Sequence, residues 1–174
     1  MSDQAEGGVI VEADTLVALA VDAARGGDVE TLDRAIAAGV SVNATSPRGD
    51  TLLMLACYYG HADAVRLLLS RGADPNQPDG RGQSPLAGVA FKGLVDIAGL
   101  LVDAGATVDA TSSEGRTPLM VAAAFNRADM VAWLLSRGAS PEARDAAGLR
   151  AVELAHGMGA HAAAVLLQAA IAPR

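Results

Sequence analysis

Residues that commonly carry chemistry are few in this chain, which has three histidines and one cysteine among its 174 residues. His156 and His161 lie five positions apart, and Glu153 precedes His156 by about one helical turn. A zinc site on a helix needs two histidines four positions apart and a third ligand close by. Gly157 and Gly159 interrupt the segment between the two histidines, so we expect neither a metal ion nor a cofactor.

Other sequence patterns typical of catalysis do not occur. We find no glycine-rich phosphate loop, no nucleophile elbow and no pair of carboxylates spaced for acid–base catalysis. We therefore predict no catalytic residue and no enzymatic activity. The many glycines have a different explanation, which is their spacing.

Glycine recurs at a fixed period of 33 residues along the chain. Three columns keep the same register, which chance would rarely produce. A period of this length is typical of a solenoid, in which each repeat buries its apolar face only against its neighbours. The columns are Gly39, Gly72, Gly105 and Gly138; Gly49, Gly82, Gly115 and Gly148; and Gly27, Gly60, Gly93, Asn126 and Gly159.

The composition favours a soluble protein with thin, closely packed helices. Apolar residues make up 51% of the chain, but only five residues are aromatic, so the core must consist of Ala, Leu and Val. Apolar runs are too short for a membrane span. The acidic N-terminus does not resemble a signal peptide. A single cysteine excludes an internal disulfide, and we expect a cytoplasmic protein.

The net charge of −7 is concentrated at one end of the chain. Residues 1–34 hold eight carboxylates and two arginines, which leaves the remaining repeats close to neutral. Phosphate neutralisation supplies most of the affinity for nucleic acids. An acidic chain without a basic stripe therefore predicts no nucleic-acid partner.

The segment 49–81 illustrates how one repeat is built. Thr51 is a natural N-cap for a first helix, and Gly60 can end that helix in the left-handed conformation. A second helix begins near Asp63, whose charge is favourable at a helix N-terminus, and it ends at Gly72. The acidic column Glu30, Asp63, Asp96 and Asp129 fits this dipole interpretation better than a row of acidic ligands.

Four stretches of sequence suggest a known family. Residues 116–123 read RTPLMVAA, residues 83–90 read QSPLAGVA, residues 60–69 read GHADAVRLLL and residues 71–76 read RGADPN. These stretches resemble ankyrin repeats. The resemblance covers almost all of residues 14–174. It implies an all-α solenoid of helix-turn-helix units joined by extended β-turn loops.

The resemblance also implies a domain organisation. Residues 1–13 form an acidic tail, in which residues 9–11 either add an extended segment or remain mobile. Residues 14–174 form the repeat domain. We expect five repeats: an N-terminal cap at 16–48, full repeats at 49–81, 82–114 and 115–147, and a C-terminal cap at 148–174.

One feature departs from the family pattern. The histidine that usually follows Thr-Pro-Leu, and that commonly bridges neighbouring turns, is replaced by Met54, Ala87 and Met120. We therefore expect fewer hydrogen bonds between repeats. His61, in contrast, stands at the family's usual position at the start of helix two, which indicates a structural role. Cys57 shares its column with alanines, which indicates a small buried residue.

The aromatic residues are candidates for a binding site because four of the five lie at the end of helix one. The resemblance implies that these positions line a concave groove and contact partners. The alternative is that the rings only pack over the adjacent helix. The residues are Tyr58, Tyr59, Phe91 and Phe125, with Lys92 beside them. Trp133 shares a column with leucines, so we expect it in the core.

The tips of the turns complete the predicted partner-binding surface. Arg48, Arg81 and Arg116 predict an arginine row near the aromatic residues, which suits a partner that carries carboxylates. The alternative is that the tips are polar only because they are exposed to water. The remaining predicted partner-binding residues of the tips are Asp50, Gln83 and Glu114.

These observations favour a protein–protein interaction module that binds a protein partner through its concave groove and turn tips, as an inhibitor or adaptor. The alternative is a structural protein that self-associates through its C-terminal cap, where 160–172 is apolar on more than one face. A monomer is expected under the first function and a homodimer under the second. An unrecognised enzyme ranks third. We expect no membrane partner.

Overall fold

The computed structural model describes residues 13–172, and this part of the chain is helical throughout apart from its turns. The predicted tail, including residues 9–11, lies outside the described residues except for Ala13, which begins the first helix. The helices are α1 (Ala13–Gly26), α2 (Val29–Ala37), α3 (Leu52–Tyr59), α4 (Ala62–Ser70), α5 (Pro85–Lys92), α6 (Val95–Asp103), α7 (Pro118–Ala124), α8 (Ala128–Ser136), α9 (Ala151–Gly157) and α10 (His161–Ile171).

The helices form five antiparallel pairs that stack in chain order. The first helices α1, α3, α5, α7 and α9 lie side by side in one layer, and the second helices α2, α4, α6, α8 and α10 form a parallel layer behind them. The one extended pairing among the described residues is an isolated bridge between Thr45 and Thr51. The prediction of an all-α solenoid is confirmed.

The predicted helix ends are present. The hydroxyls of Thr51, Ser84 and Thr117 accept hydrogen bonds from backbone N–H groups at the third helical position, over 3.0, 3.2 and 3.3 Å. Gly60 ends α3 with φ +82°, and Asn126 takes the same left-handed conformation with φ +53° after α7. Local sequence therefore sets where these helices begin and end.

The core consists of aliphatic columns repeated from pair to pair. Leu68, Leu101, Leu134 and Leu167 occupy one column at successive second helices and are fully buried. Cys57 is buried as expected, and burial raises the pKa of its thiol, which keeps it protonated. The expectation for Trp133 is wrong in part: its side chain is only half-buried at the edge of the core, and the Arg137 guanidinium lies 4.9 Å from its ring centroid.

Hydrogen bonds join the turns of neighbouring pairs along one column. Asn43 Oδ1 accepts from the backbone N–H of Asp74 over 2.9 Å, and Asn76 Oδ1 accepts from Thr107 over 2.8 Å. The carboxylate of Asp109 accepts from the Ser140 N–H over 3.1 Å. These amide and carboxylate groups link the repeats in a chain that lacks the usual histidines.

Across residues 13–172, every helix is too short or too polar to cross a membrane.

Candidate binding groove

The side chains at the ends of the first helices form one continuous aromatic row, which consists of Tyr59, Tyr58, Phe91 and Phe125. The rings of Tyr59 and Tyr58 meet edge to face with centroids 5.5 Å apart. Tyr58 stacks on Phe91 at 6.4 Å with planes 5° apart, and Phe91 meets Phe125 edge to face at 4.4 Å. Side chains from three successive repeats therefore present one surface.

Helix geometry explains why these rings share a face. Tyr58 and Phe91 occupy the same position in α3 and α5, and Gly60 and Gly93 end those helices in the left-handed conformation shortly afterwards. Stacking of the first helices brings equivalent positions side by side. The row stays largely exposed: Tyr58, Tyr59 and Phe125 are 40%, 51% and 46% accessible.

The turn tips and the aromatic row enclose two compartments of a groove. The central compartment, between α3 and α5, has a volume of about 310 Å³, and the distal compartment, between α5 and α7, has a volume of about 580 Å³. Ten of the eleven predicted partner-binding residues line one or both of them: Arg48, Asp50, Tyr58, Tyr59, Arg81, Gln83, Phe91, Glu114, Arg116 and Phe125.

Lys92 is the predicted residue that lines neither compartment. Its Nζ lies 4.2 Å from the centroid of the Tyr58 ring and 5.9 Å from that of Phe91. A cation over an aromatic face is held by the ring quadrupole. Lys92 therefore covers part of the aromatic row. A partner bound there would contact both the aliphatic part and the ammonium group of the Lys92 side chain.

The arginines of the tips differ in their contacts. Arg116 lies 3.4 Å from Glu114 and 3.9 Å from Asp145, whose side chain is only 4% accessible. Within residues 13–172, the guanidinium groups of Arg48 and Arg81 form neither an ion pair nor a hydrogen bond with another side chain or the backbone. The predicted row of three arginines therefore consists of two free groups and one paired group.

The carboxylates near the free arginines are engaged by local groups. Asp79 Oδ1 accepts from the backbone N–H groups of Arg81 and Gln83 over 2.8 and 2.9 Å. The Ser46 hydroxyl donates to the Asp50 carboxylate over 3.2 Å. The carboxylates of Asp79 and Asp50 therefore stabilise the conformation of their own turns.

The sequence interpretation missed a third compartment of the same groove, beside α1. It has a volume of about 450 Å³ and is lined by α1 and the turn at 45–47. Its apolar lining comes from Val17 and Val21, and Asp22 and Arg25 form a 3.0 Å ion pair at its edge. At this end of the groove, helix α1 lies where a turn tip lies in the other repeats. The helical spacing of apolar residues after Asp14 could have predicted this helix from the sequence.

The histidines do not form a site. His61 Nε2 lies 2.9 Å from the Arg25 carbonyl oxygen, as its expected structural role requires. The imidazole of His156 lies 3.2 Å from the amide of Gln168, and His161 is exposed at the start of α10. Within the described part of the chain, no three side chains of metal-binding type lie together.

The stacked helix pairs and the groove define a solenoid whose repeats are each two helices joined by a turn. A sequence family described as ankyrin repeats, in three copies, matches residues 19–112 and 71–145. The chain belongs to the ankyrin repeat family. Members of this family are generally protein–protein interaction modules and not enzymes.

A curated relative supports the same family. A protein of Pseudomonas aeruginosa described as an ankyrin repeat protein is 44% identical over 67 residues. The match covers 38% of this chain and 39% of that protein, so the chain matches less than half of the relative's length.

Proposed function

We propose that this protein binds a protein partner through the groove formed by the first helices and the turn tips, and that it acts as an inhibitor or adaptor without chemistry of its own. The observation that carries the proposal is the exposed aromatic row. Large apolar side chains that form a contiguous exposed patch typically mark an interaction site. Four of the five aromatic residues of the chain lie in this patch.

The electrostatics of the chain weigh against nucleic acid as the partner. The net charge is −7, and the cations of the groove are interspersed with carboxylates.

The proposed location of the protein is the cytoplasm, and the proposed full repeats are 49–81, 82–114 and 115–147. Cell fractionation with an antibody against the protein tests the location.

Affinity capture with wild type and three variants tests the binding site. The groove variant carries Tyr59→Ala, Phe91→Ala and Phe125→Ala, and a Tyr59→Ala single variant changes the most exposed ring alone. Leu19→Ala is the matched control, because Leu19 is 48% accessible and lies outside the three compartments. Thermal unfolding followed by circular dichroism shows whether each variant is folded.

We expect wild type and the Leu19→Ala variant to retain the same protein, and the folded groove variants to retain much less. Equal capture by wild type and the Tyr59→Ala and triple variants would contradict the groove as the site. The aromatic row would then serve packing between repeats.

The alternative function is self-association through the C-terminal cap. One observation favours it: Val165 on α10 and Met158 at the end of α9 are 65% and 63% accessible. Sedimentation at two protein concentrations tests this function, with a Val165→Lys variant as the comparison. A dimer that Val165→Lys disrupts would support the cap, and a monomer at both concentrations would contradict it.

A further inference from the structure

We propose that the occupant of the groove is an extended, acidic segment of the partner protein. Its carboxylates contact Arg48 and Arg81, and one aromatic or aliphatic side chain next to them enters the distal compartment beside Phe91 and Phe125. This inference rests on the proposed function and names the chemistry of the partner.

The first argument is the contrast between Arg48 and Arg81 and most other arginines of residues 13–172. A guanidinium group presents several N–H donors in a planar fork that matches a carboxylate. Arg48 and Arg81 leave all their side-chain donors free within residues 13–172. Most other arginines of that range are already paired with a carboxylate of the chain: Arg25, Arg66, Arg71, Arg116, Arg137 and Arg150.

The second argument is that each carboxylate lining the central and distal compartments already accepts a hydrogen bond or pairs with an arginine of the chain. Asp79 accepts two backbone N–H groups, and Asp50 accepts the Ser46 hydroxyl. Glu114 lies within ion-pair distance of Arg116. A basic segment would have to compete with these bonds, whereas an acidic segment finds free donors. The groove is therefore complementary to carboxylates even though its formal charges nearly cancel.

The third argument is the position of Arg81 between the two compartments. Arg81 and Gln83 line both the central and the distal compartment. The distal compartment has an apolar lining from Ala87, Phe91, Val121 and Phe125, and its volume of about 580 Å³ accommodates an aromatic side chain. A carboxylate of the partner segment that binds Arg81 would therefore lie next to an apolar side chain of the same segment in the distal compartment.

The length of the segment follows from the stacking. Packed helices lie about 8–10 Å apart, so the path from α1 to α7 is roughly 30 Å. An extended chain rises about 3.3 Å per residue. A segment of about nine residues therefore runs across all three compartments. It would place its carboxylates near the middle and its apolar anchor toward α7.

A phage-displayed library of random peptides, slightly longer than this segment, tests the proposal with a defined probe. The library is selected on wild type, on the double variant Arg48→Gln/Arg81→Gln and on the matched control Arg34→Gln. Arg34 is exposed on α2 and forms no side-chain ion pair or hydrogen bond in the described residues. Glutamine removes the charge and shortens the side chain to the same extent in the double variant and in the control, so the comparison isolates the position of the change.

We expect wild type and the Arg34→Gln control to enrich peptides in which Asp or Glu precedes or follows an aromatic or aliphatic residue. A synthetic peptide of the enriched sequence should bind the double variant at least about tenfold more weakly, as the loss of charge-assisted hydrogen bonds requires. A Phe125→Ala variant should remove the preference for the apolar residue and leave the preference for acidic residues.

Three results would overturn the proposal: enrichment without acidic residues, acidic enrichment that survives in the double variant, and no enrichment above the background of the empty matrix. The proposed function is judged separately by the capture experiment. If the aromatic variants lose a captured protein while the library shows no acidic preference, the groove binds a partner of other chemistry, and only this inference fails.

Discussion

The imidazole Nε2 of His61 lies 2.9 Å from the carbonyl oxygen of Arg25, which belongs to the preceding repeat. Arg127 repeats this relationship two repeats later, where its Nε donates to the carbonyl oxygen of Phe91 over 2.9 Å. Leu94 holds the same position in the repeat between them and has no polar side-chain atom to donate. Residues at the start of helix two thus join some neighbouring repeats and not others.

Replacement of His61 with alanine should lower the free energy of unfolding by about 1 kcal/mol, because the carbonyl oxygen of Arg25 loses its donor. Urea denaturation followed by circular dichroism measures the change. His161→Ala is the matched control, since His161 is exposed and its side chain forms no hydrogen bond in residues 13–172. Equal losses in the two variants would show that the His61 contact contributes nothing specific.

The amide of Asn76 should contribute more, since it bridges two turns with both of its polar atoms. Its Oδ1 accepts from the Thr107 N–H and its Nδ2 donates to the Gly105 carbonyl oxygen over 3.0 Å. We expect Asn76→Ala to lower the free energy of unfolding by about 1–3 kcal/mol, measured by urea denaturation.

Gln77→Ala in the same turn is the control for Asn76→Ala, and it should change the free energy of unfolding very little. Asn76→Asp keeps the acceptor and loses the donor, so we expect a value between those of wild type and Asn76→Ala. An Asn76→Ala variant as stable as Gln77→Ala would contradict the bridging role.

Two glycines should respond to alanine in opposite directions. A Cβ on Gly80 would lie 2.6 Å from the carbonyl oxygen of Arg48 in the neighbouring tip, which is backbone and cannot turn aside. Gly99 lies inside α6 with nothing within 4 Å of an added Cβ. We expect Gly99→Ala to stabilise by about 0.5–1 kcal/mol and Gly80→Ala to destabilise.

Thermal unfolding of both glycine variants provides the comparison. The Gly80→Ala variant should also lose binding at the central compartment, because the tips that carry Arg48 and Arg81 must move apart. A Gly80→Ala variant as stable as wild type would contradict the close approach of the two tips at Gly80 and Arg48.

Stability of the last repeat should depend on pH through Glu153. Arg150 takes the N-cap position of α9, and hydrogen bonds from its side chain and its backbone N–H lower the pKa of Glu153 from 4.5 to about 2. A lowered pKa in the folded state means that the contribution is complete above the unfolded pKa. It is lost as pH falls from about 5 toward 2.

Comparison of wild type with Glu153→Gln measures this contribution. Above pH 5 the variant should unfold at a lower urea concentration, and the difference should shrink as pH falls toward 2. Glu30→Gln is the control, because the Glu30 side chain forms no hydrogen bond or ion pair in the described residues. A difference that stays constant with pH would contradict the role assigned to the Glu153 carboxylate.

Sequence predicted those features that local chemistry determines. Thr51 caps α3 and Gly60 ends it because the capping hydroxyl and the left-handed turn act within a few residues. The 33-residue period then places equivalent side chains on one face, which is why Tyr58 and Phe91 meet. These features follow from short-range geometry and repetition.

Features that depend on contacts between repeats were harder to predict. The predicted arginine row includes Arg116 with Arg48 and Arg81, but Arg116 lies 3.9 Å from Asp145 of the next tip. The Trp133 ring stays half-buried because the leucine column to which it belongs lies at the edge of the core. The joining column of Asn43, Asn76 and Asp109 recurs at the same period as the glycines and could have been found by that signal.

The leucine at position 94 has a mechanical consequence. The His61 side chain, at the start of α4, links α3–α4 to α1–α2. The Arg127 side chain, at the start of α8, links α7–α8 to α5–α6. Between these two blocks, Leu94 makes no such bond, and the two hydrogen bonds of the Asn76 amide link α3–α4 to α5–α6 in its place. A solenoid opens where its interface between neighbours is weakest. The joint midway along the groove therefore depends on one amide, and a stack that lacks the Asn76 side chain should separate there first under load or heat.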